Sequence, residues 1–162
     1  MTPDPEREFL RHVVATLAYR CAKTLRGAPE GFDAYKASPT TRTPVEILTH
    51  IGDLMDWVLA LASKGHLYKD SRPLPWTEEQ ARFHAVLAAL DDYLAGDQPL
   101  VTPWRQLFQG GLADALTHTG QLAMLRRMHG VPMKGESYAR AEIVAGRVGP
   151  EQTPPEPKYE FD

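Results

Sequence analysis

The chain has 162 residues, enough for one domain with a sizeable core. Hydrophobic residues make up 43% and charged residues 24%, which is ordinary globular usage, and 18 basic against 21 acidic side chains leave a net charge of −3. No basic excess marks a nucleic-acid binder, and no apolar run approaches the roughly 20 residues that cross a bilayer.

The N-terminal MTPDPEREFL is acidic and lacks the basic start and apolar centre of a secretory signal, so a cytoplasmic chain is expected. The single Cys21 excludes an internal disulfide and fits a reducing compartment. From about Pro5 to Leu25, Phe9, Val13, Thr16, Leu17, Arg20 and Leu25 recur at three- and four-residue steps, which predicts a helix. Asp4 caps it, with Pro5 at the first helical position. His12 reads as a partly exposed helix histidine. Gly27 and Pro29 end the helix, and GAPEGFDAYKASPTTR follows as a loop long enough to be a cover or a packed Ω-type segment.

Thr43-Pro44-Val45-Glu46 is a capping box that opens a second helix. Its apolar face runs through Ile47, Ile51, Leu54, Val58 and Leu61, with His50 beside it and Gly65 as the stop. HLYKDSRPLPW is turn chemistry, and His66 and Tyr68 have no partner that spacing identifies. Thr77-Glu78-Glu79-Gln80 reads as another capping box, preceded by Trp76 as a staple residue. The third helix then runs to about Leu94 on a stripe of Phe83, Val86, Leu87, Leu90 and Leu94. His84 falls off that stripe, which predicts a surface position. Asp91 and Asp92 diverge by about 100° on a helix and read as a solvated face rather than a carboxylate pair.

A fourth helix is expected from Thr102-Pro103 to His129-Gly130. Gly110 and Gly111 weaken its early part by roughly 1–2 kcal/mol and mark either a kink or a close approach. Asp114 and His118, at i and i+4, project from one side, which Leu107, Gly111, Gln121 and Leu125 share. A carboxylate and an imidazole on a face that otherwise looks buried need a partner or a metal. Residues 131–162 predict one short helix, about Ser137 to Val144, and a proline-rich extended tail laid over the bundle or a partner subunit. The whole, residues 1–162, reads as one all-α domain: a helical bundle with an irregular C-terminal tail.

Bundle metal sites use inward side chains of facing helices. His50, Asp114 and His118 supply two imidazoles and a carboxylate, and three protein ligands leave a position open for water or substrate. The set suits Zn, Ni, Fe or Mn. Gln121 is placed to hydrogen-bond a ligand or substrate. Asp53 and Trp57 are candidates for the pocket wall. Arg126 is a candidate for attracting an anionic substrate, with a surface salt bridge as the other reading.

THIGDLMDW around His50 and DALTHTGQLAMLRRMHGVP around His118 resemble the DinB/YfiT-like superfamily. The Gly120-Gln121 pair after His118-Thr119 is the most specific element. The resemblance implies a four-helix bundle with a long crossover, a divalent transition metal (Zn or Ni ahead of Fe or Mn) and a homodimer. By position, His50 and His118 match two ligands, and Asp114 stands where the family's first motif histidine stands. That departure leaves Asp114 as a ligand, as a group orienting His118, or as the mark of a site without its metal. The function so implied is a metal-dependent enzyme, either a small-thiol S-transferase or a hydrolase using metal-bound water. The alternative is a non-catalytic, metal-binding or stress-linked homodimeric bundle with a buried Asp/His network.

Overall fold

A computed structural model describes residues 4–162; Met1, Thr2 and Pro3, which begin the acidic N-terminal stretch, lie outside them. Four long helices form the body: α1 (Pro5–Leu25), α2 (Pro44–Ser63), α3 (Trp76–Ala95) and, after the short α4 (Trp104–Leu107) and a π turn at Phe108–Leu112, α5 (Ala113–Met128). The first two begin where their caps dictate. The Asp4 side chain accepts from the Glu6 amide, and Thr43 and Glu46 form the full reciprocal capping box. The apolar stripes converge on one core that includes Leu10, Leu17, Ile51, Met55, Leu87 and Leu122, all inaccessible to solvent.

α1 and α2 each pack on α3 and α5, so α1 lies diagonally across from α2. Long-range bonds set the helix directions. Arg7 at the start of α1 donates to the Leu94 carbonyl at the end of α3, so these two are antiparallel. Arg82 reaches the Thr49 carbonyl near the starts of α3 and α2, and Tyr93 reaches the Ala62 carbonyl near their ends, so α2 and α3 are parallel. Arg126 near the end of α5 donates to Thr24 near the end of α1, making these parallel too. Parallel neighbours need a connection that runs back along the bundle. Residues 64–75 provide it: about 40 Å of extended chain against a helix of about 30 Å. This crossover runs along α2, where His66 meets Trp57, Tyr68 meets His50 and the Ser71 amide meets Asp53.

Several local expectations give way to tertiary contacts. α3 starts at Trp76 without a side-chain cap, so Thr77 lies inside the first turn and forms no capping box. Trp76 instead packs edge-on against buried Phe32, with ring centroids 6.1 Å apart, and Glu79 turns inward to accept from the Leu74 amide (3.0 Å) and Arg82 (2.8 Å). Thr102 does not cap either, because α4 begins after Pro103. Asp92 is exposed as expected, but Asp91 is buried in a two-pronged ion pair with Arg11, both contacts 3.0 Å. His84 is half-buried rather than a surface residue, and its Nδ1 donates to the Val148 carbonyl at 3.0 Å.

The tail contains no helix over Ser137–Val144. It forms a short 3₁₀ turn (Tyr138–Arg140) and a two-stranded antiparallel pair, β1 (Gly135–Glu136) with β2 (Glu160–Phe161). A buried carboxylate dictates this. Glu136 accepts from the Tyr19 hydroxyl and pairs with Lys23, which also reaches Glu160 at 3.2 Å. Burial and this carboxylate push the Tyr19 hydroxyl well above its usual pKa. The tail therefore lies on the α1–α3 side of the bundle and leaves the α2–α5 side uncovered.

Candidate metal centre

The α2–α5 contact depends on the glycine pair. At Gly111 a Cβ would stand 2.5 Å from Val58 Cγ2 and 3.2 Å from the Leu54 carbonyl, so only glycine permits this approach. Gly110 has non-helical backbone angles, φ −86° and ψ −111°, inside the π turn. Both readings of the pair hold: the helix is interrupted, and another backbone comes close. A π turn inserts a residue and so rotates the face that the following helix presents. Here the rotated helix presents Asp114 and His118 to His50.

The three ligand atoms of His50, Asp114 and His118 lie within 4.8 Å of one another. His50 Nε2 is 3.8 Å from Asp114 Oδ2, and His118 Nε2 is 3.4 Å from Asp114 Oδ1. A tetrahedral centre with bonds of about 2.1 Å spaces its donors about 3.4 Å apart, so the arrangement fits a metal after a contraction of the widest pair. The two imidazoles meet edge to face, their centroids 4.7 Å apart.

The outer ring nitrogens are engaged. Gln121 Oε1 lies 2.9 Å from His118 Nδ1, and the Tyr68 hydroxyl lies 3.2 Å from His50 Nδ1. A neutral imidazole has one ring proton, and donating it to Gln121 leaves the His118 Nε2 lone pair facing Asp114. The Tyr68 hydroxyl either accepts from His50 Nδ1, which leaves a second Nε2 lone pair facing Asp114 and a space suited to a cation, or donates to it, which leaves Nε2–H to donate to Asp114. Burial holds His50 below its usual pKa, aided by neighbouring His118 and Arg42 and opposed by Asp114 and Asp53. Both imidazoles are largely buried, whereas the Asp114 side chain is 49% exposed, so the carboxylate side is open to solvent.

The other residues singled out by spacing divide. Gln121 belongs to the site. Asp53 lines a polar cavity of about 210 Å³ beside His50, but its carboxylate is occupied by Arg82 and by the Ser71 amide. Trp57 donates from Nε1 to His66 Nδ1 (3.0 Å) and stacks edge-on against Tyr68, supporting the crossover rather than lining that cavity. Arg126 is neither an anion trap nor a surface salt bridge. It is 3% exposed and donates to the carbonyls of Thr24 (2.8 Å), Arg26 (3.1 Å) and Val131 (2.8 Å), closing the end of α1. Tyr68 and Arg42 enter the site unannounced. No periodicity places Tyr68 opposite His50, because the extended crossover segment brings it there, and Arg42 arrives on the first loop, which folds as a packed segment around Phe32.

Comparison of the chain with protein-family models, with curated proteins and with solved structures gives no match.

Proposed function

We propose that this chain is a divalent-metal-dependent enzyme of the DinB/YfiT-like type, with His50, Asp114 and His118 holding zinc or nickel in preference to iron or manganese. One observation carries the reading: two imidazole Nε2 atoms and a carboxylate converge while both Nδ1 atoms are engaged from outside. Such a metal supplies Lewis acidity, lowering the pKa of a bound water or small thiol near neutral pH. The protein's part is to orient the two imidazoles through Gln121 and Tyr68 and to keep the Asp114 side open to a small molecule. Any thiol comes with the substrate. Cys21 is fully buried, and burial pushes its pKa up to about 12. A cytoplasmic homodimer accompanies this reading.

A second reading is a non-catalytic bundle, metal-binding or stress-linked, in which the same residues form a hydrogen-bonded network. It is favoured by the partners both imidazoles already have in Tyr68 and Gln121. Elemental analysis of untagged protein beside His118→Ala separates metal from network. About one transition metal per chain, lost in the variant, supports the centre; protein that takes up neither zinc nor nickel rejects it. Cobalt substitution then tests catalysis. An absorption spectrum that shifts with added small thiol or azide indicates the exchangeable position an enzyme needs.

A further inference from the structure

On α5 the stripe that begins with His118 continues through Gln121, Leu125 and Met128, at helical spacing. With Met124 and Ile47 it walls a groove of about 610 Å³, within the size range of small-molecule sites. Met124 and Met128 are 63% and 54% exposed, a large apolar surface for two side chains on one face. Exposed apolar area of this kind marks binding, and methionine adapts to irregular ligands.

The groove's charged wall is Arg42. It lines this groove with His118 and also lines the polar cavity with His50, Asp53 and Glu46, so the residue borders both spaces beside the triad. Among the described residues it has no carboxylate within 4.0 Å, whereas Arg11, Arg82 and Arg147 are each ion-paired. Ser38 and Thr41 lie on the same wall. One exposed guanidinium at the triad end of an apolar channel complements one kind of molecule.

We infer that the groove binds a small amphipathic carboxylic acid, its carboxylate on Arg42 beside the triad and its hydrocarbon part along Met124, Leu125 and Met128. This names the substrate class of the proposed centre and rests on that reading for turnover; binding is separable from it. A charge-assisted, two-pronged contact gives the acid its advantage over a neutral analogue.

The test is calorimetric titration of the full chain, dialysed against EDTA or loaded with zinc, with octanoate, octanamide and acetate. The expected result is octanoate binding at least tenfold tighter than octanamide or acetate in both forms. Arg42→Gln abolishes the preference for octanoate over octanamide, Arg42→Lys retains most of it, and the double variant M124Q/M128Q weakens both eight-carbon ligands alike. Equal binding of octanoate and octanamide overturns the inference. So does an octanoate preference in the zinc form that survives Arg42→Gln, since the carboxylate then sits on the metal. Sedimentation showing a dimer that M124Q/M128Q dissociates, with no octanoate binding, assigns the groove to a second copy and overturns it too. Failure of zinc to bind while the octanoate preference persists removes the metal reading and leaves this one standing.

Discussion

The Gln121 side-chain oxygen lies 2.9 Å from Nδ1 of His118, one turn along the same helix, and so directs the opposite ring nitrogen at Asp114. This pair joins the most specific sequence element to the chemistry of the site. It selects the tautomer and fixes the ring plane from outside the space between the three candidate ligand atoms.

Gln121→Ala is therefore expected to lower zinc affinity by about 10–100-fold, the usual range for losing such an orienting partner. Gln121 is exposed, so global stability stays within about 0.5 kcal/mol of wild type. Competition against a chromophoric chelator measures the first quantity and urea unfolding of the metal-free protein the second. Unchanged affinity removes Gln121 from the site.

Gly111→Ala tests the approach of the two helices. The added methyl would meet Val58 Cγ2 at 2.5 Å and the Leu54 carbonyl at 3.2 Å. Forced overpacking of this kind costs about 1–3 kcal/mol and moves α5 away from α2. Both unfolding midpoint and zinc affinity are expected to fall. Adding Val58→Ala relieves the worse contact, so recovery of affinity in the double variant is the informative result.

Arg126→Ala distinguishes a structural arginine from an anion site. Its loss leaves the Thr24, Arg26 and Val131 carbonyls without their donor, which costs about 1–3 kcal/mol. Metal stoichiometry and octanoate binding are expected to be unaffected. A selective loss of ligand binding at full stability would return Arg126 to the pocket.

His84 makes stability depend on pH. Burial holds its folded pKa below the ordinary 6.5, against the opposing effect of its bond to the Val148 carbonyl. As pH falls through about 6.5 the unfolded chain takes the proton first. Stability is complete above that value and declines as pH drops toward the folded pKa. Urea unfolding of metal-free protein at pH 7.5 and pH 5 is expected to show a smaller decline for His84→Gln than for wild type. His50, depressed by its own burial, contributes in the same sense and remains in the variant.

The proposed metal centre predicts a second pH dependence. Coordination requires neutral imidazoles, so protons compete for His50 and His118 in acid. Zinc affinity measured by equilibrium dialysis is expected to fall steeply between pH 7 and pH 5. Occupancy constant over that range would exclude these ligands.

The helices, two of their caps and the Asp114–His118 pair were legible because each is local: Asp4 and Thr43 act within three residues, and Asp114 and His118 lie one turn apart. His50 was legible as a polar residue beside an apolar stripe. The glycine pair was legible as an interruption, though not as the point where α5 meets Val58. The failed readings share one cause. Asp91 and Arg126 look like ordinary helix-surface charges until their neighbours arrive, and these are Arg11 and Thr24, 80 and 102 residues away.

Hydrophobic periodicity and capping chemistry by themselves determined that the chain makes long amphipathic helices and that one face of the last carries a carboxylate and an imidazole. Only the tertiary structure decided that α2 and α3 run parallel. That arrangement requires an extended crossover along α2, and the crossover supplies Tyr68 to His50. It also decided that the tail closes over α1 and α3, where Glu136 finds Lys23, so that the side carrying His50, Asp114 and His118 stays open. The physical reason is range: helix caps and i,i+4 pairs act within one turn, whereas burial and ion pairing depend on chain segments that only folding brings together.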